Sequence, residues 1–137
     1  MTAISPSARS PVSRGDLGRA DLGRRGEEAV ALWYVRAGYD VVARNWRCRH
    51  GEIDLVALDP DGVVVVCEVK TRSSTAFGSP ADAVTATKQR RLRQLAARWL
   101  ADTRQRGTRM RPVRFDVAGV MENRSGELHI EMLHDAF

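Results

Sequence analysis

Glu68-Val69-Lys70 sets a carboxylate and an ammonium two residues apart. In a β-strand that spacing sends both from one face of the sheet. A strand fits here, because Val63–Val69 is β-branched almost throughout, as central buried strands are. The segment before it, Glu52–Leu58, alternates polar and apolar at its start, and Asp59-Pro60-Asp61-Gly62 between the two has turn chemistry. A hairpin turning at 59–62 pairs residues whose numbers sum to 121 or 122, which sets Asp54 opposite residue 67 or 68. Two acids and a lysine then converge in an otherwise apolar sheet.

Carboxylates held side by side raise each other's pKa, and desolvation raises it further. A hard divalent cation, Mg²⁺ or Mn²⁺, relieves both effects, since Mg²⁺ takes one or two carboxylates plus waters and phosphate oxygens. Such a metal polarises a phosphodiester and acidifies a water, while Lys70 positions that water or stabilises transition-state charge. The bland alternative is an internal ion pair, Glu68–Lys70 or Asp54–Lys70. Burying an ion pair rarely adds stability, so that alternative explains the cost poorly. With seven Glu and two Lys in the chain, Glu-x-Lys is expected about 0.1 times by chance, and the strand context and upstream Asp54 narrow it further.

The surrounding elements must position these groups. Arg25–Ala37 consists of good helix formers, with Val30, Trp33 and Ala37 along one stripe, Glu27 and Glu28 in the first turn and Gly38 as a stop. Tyr39–Ala43 reads as a short strand. Ser79-Pro80-Ala81-Asp82 offers a helix start, and a helix to about Ala101 carries Val84, Lys88, Leu92, Leu95 and Trp99 on one face. Lys88 therefore points toward the sheet, either as a snorkelling core-edge lysine or as a phosphate contact. Val113–Val120 and Leu128–Leu133 read as two more strands around a polar turn at 122–126. The order α-β-β-β-α-β-β predicts an α/β fold in which helices flank a mixed sheet.

At 137 residues the chain suits one domain. No apolar run approaches a membrane span, and the N-terminus lacks an apolar signal region. Two cysteines, Cys48 and Cys67, are too few for a disulfide scaffold, which points to a reducing cytoplasm. Residues 1–23, rich in Ser and without aromatics, read as a disordered arm preceding a domain at 24–137. The net charge of +5 is unevenly placed. Residues 1–70 balance ten bases against ten acids, 71–114 hold eleven bases against two acids, and 115–137 hold one base against five acids. Arg90, Arg91, Arg93 and Arg98, with the loop arginines 104, 106, 109 and 111, could track a phosphate backbone. Arg72, two beyond Lys70, could hold a phosphate bidentately. A solvated helix face is the plain alternative.

Asp54 followed by Glu68-Val69-Lys70, after a first helix bearing Glu27, resembles the PD-(D/E)xK nuclease superfamily. The strings Gly26-Glu27-Glu28-Ala29, Gly51-Glu52-Ile53-Asp54-Leu55-Val56, Cys67-Glu68-Val69-Lys70-Thr71-Arg72, Arg114-Phe115-Asp116-Val117 and His134-Asp135-Ala136-Phe137 are similar to the YraN family of small bacterial predicted endonucleases. Ile53 stands where the superfamily's name writes proline. The resemblance spans about residues 23–137 and implies a restriction-endonuclease-like core, α-β-β-β-α-β with an extra C-terminal strand. It implies that Asp54, Glu68 and the helix-borne Glu27 bind Mg²⁺ or Mn²⁺ and that Lys70 is catalytic. The reading is a metal-dependent endonuclease acting on DNA, branched or flap structures included. A two-fold junction would favour a homodimer. The rival is a nucleic-acid-binding module that keeps the fold without turnover. An RNA-processing factor using the same site also remains open.

Overall fold

A computed structural model describes residues 14–73, 80–103 and 111–137. The elements are α1 (Arg14–Arg36), β1 (Asp40–Cys48), β2 (Gly51–Leu58), β3 (Val64–Arg72), α2 (Ala86–Thr103), β4 (Val113–Glu122) and β5 (Leu128–Leu133). The strands form one sheet in the order β1-β2-β3-β4-β5. Only β3 and β4 are parallel, and α2 lies between them in the chain. This is the mixed sheet flanked by helices expected of a restriction-endonuclease-like core. No helix among the described residues is long and apolar enough to cross a membrane.

The alternation along β3 divides the core. Val64 and Val66 pack with Leu92, Leu95, Ala96 and Trp99 of α2, joined by Phe115 and Val117 of β4. Val65 and Cys67 pack on the opposite face with Val30, Ala31 and Tyr34 of α1. Each buried valine contributes on the order of 1.5–3 kcal/mol, and cover on both faces is why this segment is β-branched rather than alternating.

Three boundaries lie more than three residues from those of the sequence reading. The first helix begins at Arg14, so 14–23, which composition assigned to an arm, is helical, and residues 1–13 lie outside the described part. Arg24 pairs with Asp21 one turn earlier at 3.5 Å, and Arg25 anchors the helix to Glu122 and to the Gly126 carbonyl of the β4–β5 turn. The second helix starts later than Ser79-Pro80 suggests. Pro80–Ala83 is a separate 3₁₀ turn, and Thr85 caps α2 by accepting the Lys88 N–H on Oγ1 at 3.2 Å. Finally, β1 runs on to Cys48, beyond the expected end at Ala43, because Trp46 and Cys48 still pack against the α2 side of the core.

Candidate active site

The β2–β3 hairpin has the predicted register, with Leu55↔Cys67 and Val56↔Val66 summing to 122. Its ladder stops at Leu55↔Cys67, although β3 continues against β4 to Arg72. The cause lies one residue earlier in β2. Ile53 and Val56, three apart, both pack on the α2 side, whereas Leu55 and Ala57 face α1, so the alternation slips at Asp54. The partner strand slips at the same level. Ala43 and Trp46, again three apart, share one side, and Asn45 between them has φ 50°. Asn is among the few residues that take this left-handed conformation readily. The bend turns the Asp54 carboxylate toward the freed edge of β3, where Oδ2 accepts the Val69 N–H at 2.9 Å. A side chain thus supplies what a continued ladder would have supplied.

Asp54 and Glu68 come together as the hairpin arithmetic predicts. Burial pushes the Asp54 pKa up to about 7, the charge of Glu68 adds to this, and Glu27 and Glu52 add more against the opposing Val69 hydrogen bond. Glu27 reaches this neighbourhood because α1 lies directly on β3. A Cβ at buried Gly26 would fall on Thr71 Oγ1, so only glycine permits the approach. Glu27 then lines an open cleft of about 540 Å³ with Val69, Lys70, Thr71 and Arg72.

Glu68 and Lys70 share the α2 face of β3, yet the lysine that neutralises Glu68 is Lys88. Its Nζ lies 2.5 Å from Glu68 Oε1. Neither Glu68–Lys70 nor Asp54–Lys70 is among the ion pairs of the described residues, and exposed Lys70 stands free at the mouth of the cleft. The structure brings Lys88 to Glu68, with the Lys88 side chain 40% exposed and that of Glu68 only 11%.

No three His, Cys, Asp or Glu side chains among the described residues gather as a metal cage. Asp54 and Glu68 still suit Mg²⁺, which needs only one or two carboxylates and completes its shell with water and phosphate oxygens. The raised pKa of Asp54 marks a carboxylate whose neighbours leave its charge undercompensated, as a cation ligand requires.

The arginines separate by flank of α2. Arg91 and Arg98 line a groove of about 590 Å³ together with His50 from the β1–β2 turn. Arg90 is exposed and reaches Thr87 Oγ1 at 3.5 Å. Arg93 lies on the other flank, its guanidinium 5.2 Å from the Phe115 ring centroid and 5.4 Å from that of Phe137, so it packs on aromatics there. Arg72 lines two clefts beside Lys70. Residues 104, 106 and 109 lie outside the described segments.

The profile of the uncharacterised protein family UPF0102 matches residues 26–120. The chain belongs to UPF0102. This is the YraN family, so the resemblance holds. A UPF0102 protein of Rhodococcus jostii is 47% identical over 112 residues, covering 82% of this chain and 92% of that protein. One from Beutenbergia cavernae is 51% identical over 108 residues, covering 79% and 88%. One from Symbiobacterium thermophilum is 46% identical over 112 residues, covering 82% and 92%. The UPF0102 match takes in Glu27, Asp54, Glu68, Lys70 and Lys88, together with the bend that aims Asp54.

Sequence reasoning missed a second polar cluster in this UPF0102 chain. Asp116 of β4 faces α1 and is fully buried. Its Oδ1 accepts Arg114 Nε at 2.9 Å and the Asp135 N–H at 3.1 Å, and its Oδ2 accepts Tyr34 O–H at 2.7 Å and Arg114 Nη2 at 3.0 Å. His134 Nδ1 lies 2.8 Å from Oδ2, which puts its proton on Nδ1 because a carboxylate only accepts. Burial alone would push the Asp116 pKa up, but these donors override it and hold the carboxyl below the usual range. The available signal was the string Arg114-Phe115-Asp116-Val117, with an arginine two residues before the aspartate, and the His134-Asp135 pair that follows β5.

Proposed function

We propose that the chain is a metal-dependent endonuclease hydrolysing phosphodiester bonds in DNA, with branched and flap structures as the first candidates. The observation that carries this reading is the Asp54–Glu68 pair. Two acids lie close enough to act on each other's charge, and one of them, bonded to the Val69 N–H, has its pKa pushed up to about 7, beside a cleft that Glu27, Val69 and Lys70 line. Lys88 answers the charge of Glu68, but Asp54 has no cationic partner among the described residues, a cost that an entering cation would relieve. A bound Mg²⁺ or Mn²⁺ would supply Lewis acidity and a more acidic water. Asp54 and Glu68 would hold it, with Glu27 across the cleft adding negative field.

The chain's own groups supply the rest. Lys70, exposed and unpaired among the described residues, orients the attacking water and balances charge gathering on the phosphate oxygens. Water adds to phosphorus, one P–O ester bond breaks, and a proton passes to the departing oxygen. Arg72 contacts a phosphate beside the cleft, while Arg90, Arg91 and Arg98 track the backbone farther along α2.

A second reading, a DNA-binding module without turnover, draws on Lys88, which already neutralises Glu68. Linear, nicked, flap and four-way DNA, incubated with Mg²⁺ and with Mn²⁺, separate the two. Wild type cleaves at least one substrate. Glu68→Ala and Lys70→Ala lose cleavage and keep most DNA affinity. Arg91→Ala combined with Arg98→Ala weakens binding and lowers the salt slope by about 2. If wild type and Glu68→Ala are equally inert across the panel, the binding-module reading stands. The same panel in RNA assigns the nucleic acid.

A further inference from the structure

Lys70 and Lys88 are the only lysines in the chain, and their surroundings differ. Lys70 is exposed and unpaired among the described residues, whereas Lys88 holds Glu68 through a side chain 40% exposed. The Lys88 backbone is fixed in the first turn of α2, where its N–H donates to Thr85 Oγ1. Its four-carbon stem remains free to swing over the open side. Glu68 therefore has its positive partner on an element other than its own strand, and that partner can leave without disturbing the sheet.

We propose that Lys88 is an exchangeable counter-ion, which neutralises Glu68 until a divalent cation takes that carboxylate and then turns its ammonium to a phosphate of the incoming strand. The inference rests on the cation site proposed above. A divalent cation on Glu68 and an ammonium at 2.5 Å from the same carboxylate repel one another, so occupancy by one disfavours the other. Arg91 follows Lys88 by three residues along α2 and Arg98 by ten, about 15 Å farther at 1.5 Å per residue. The released ammonium would join the phosphate-tracking groups of that helix. A compact ammonium suits the exchange better than a guanidinium, whose bidentate grip on a carboxylate is harder to release. Cation and strand then bind with positive coupling, which must be reciprocal. Cation frees Lys88 for phosphate, and a phosphate that captures Lys88 vacates Glu68.

Two lysines make the test direct. Protein labelled with ¹³Cε-lysine gives two side-chain signals, assigned with Lys70→Met and Lys88→Met. Titration with Ca²⁺ in the absence of DNA should move the Lys88 signal toward its position in Glu68→Gln and leave Lys70 where it was. By calorimetry, Lys88→Met should bind Ca²⁺ about tenfold more tightly than wild type, because a like charge has gone. Lys88→Arg, which keeps the charge, should not. The factor by which Ca²⁺ tightens binding of a DNA duplex should fall to near unity in Lys88→Met and persist in Arg91→Ala. A Lys88 signal unmoved at saturating Ca²⁺, or a Lys88→Met protein that binds Ca²⁺ no more tightly than wild type, overturns the exchange while leaving the cation site intact. If wild type and Lys88→Met both fail to bind Ca²⁺, Mg²⁺ or Mn²⁺, the cation site and the exchange fall together.

Discussion

Asp116 and Asp54 sit in one sheet, two strands apart, and both are largely withdrawn from water. Asp116 receives donors from Tyr34, Arg114, His134 and the Asp135 backbone, while Asp54 receives the Val69 N–H and faces Glu68. The first is held below the usual carboxylate range and the second pushed up to about 7. Burial opposes ionisation in both, so the difference comes from the partners. A buried acid whose hydrogen bonds are complete fastens elements together. Asp116 ties α1, β4 and the segment after β5, and that segment adds an Ala136 N–H bond to the Phe115 carbonyl and stacks Phe137 on Phe115. A buried acid left incomplete beside a like charge carries an electrostatic cost, which the cation proposed above would relieve.

The largest expected effect comes from breaking the completed site. Asp116→Ala leaves Arg114 and the Tyr34 hydroxyl without their acceptor, and urea unfolding should show a loss of about 3–5 kcal/mol. The sign with pH follows from the lowered pKa. The stabilisation from Asp116 is present at neutral pH and is lost as pH falls through its folded-state pKa, below the usual carboxylate value. The gap between wild type and Asp116→Ala should therefore narrow in acid. A gap under 1 kcal/mol at pH 7 would show that the network fastens nothing.

Asp54→Asn should have the opposite sign and a smaller size. A carboxyl with a raised folded-state pKa is fully tolerated below about pH 4, and the tolerance is lost as pH rises through about 7. The Asn carbonyl can still accept the Val69 N–H. Without divalent cation, Asp54→Asn should thus be more stable than wild type by about 1–3 kcal/mol at pH 8, with the advantage gone near pH 4. Added Mg²⁺ or Mn²⁺ should raise the Tm of wild type and not of Asp54→Asn. If the variant has no advantage at pH 8, Asp54 is as well compensated as Asp116 and the contrast disappears.

The two sites also differ in how much of each could be read from sequence. The Asp54–Glu68 pairing follows from a tight turn and a fixed register, both local, and the inward aim of Lys88 follows from helical periodicity. The bend that directs Asp54 was hidden, because Asn45 at positive φ and the slipped alternation of β1 look like the end of a strand. The Asp116 site was illegible for another reason. Its partners lie 82 and 18 residues away at Tyr34 and His134, and a strand over Val113–Val120 does not by itself say what covers the side that carries Asp116. Composition also misled, since the Ser-rich, aromatic-free stretch 1–23 concealed the helix that starts at Arg14.

Lys70 provides the finest separation between fastening and function. It touches no acid among the described residues and is exposed, so Lys70→Ala should alter stability by no more than about 0.5 kcal/mol, as surface substitutions usually do. The same substitution should abolish cleavage and leave the cation-induced Tm rise in place, because the carboxylates that hold the cation remain. Urea unfolding, melting with and without Mg²⁺, and the cleavage assay on one preparation measure all three. Stability lost together with activity would mean that Lys70 balances the acid pair as Asp116's donors balance Asp116. Activity lost alone would make Lys70 the group that the incomplete site keeps for its substrate.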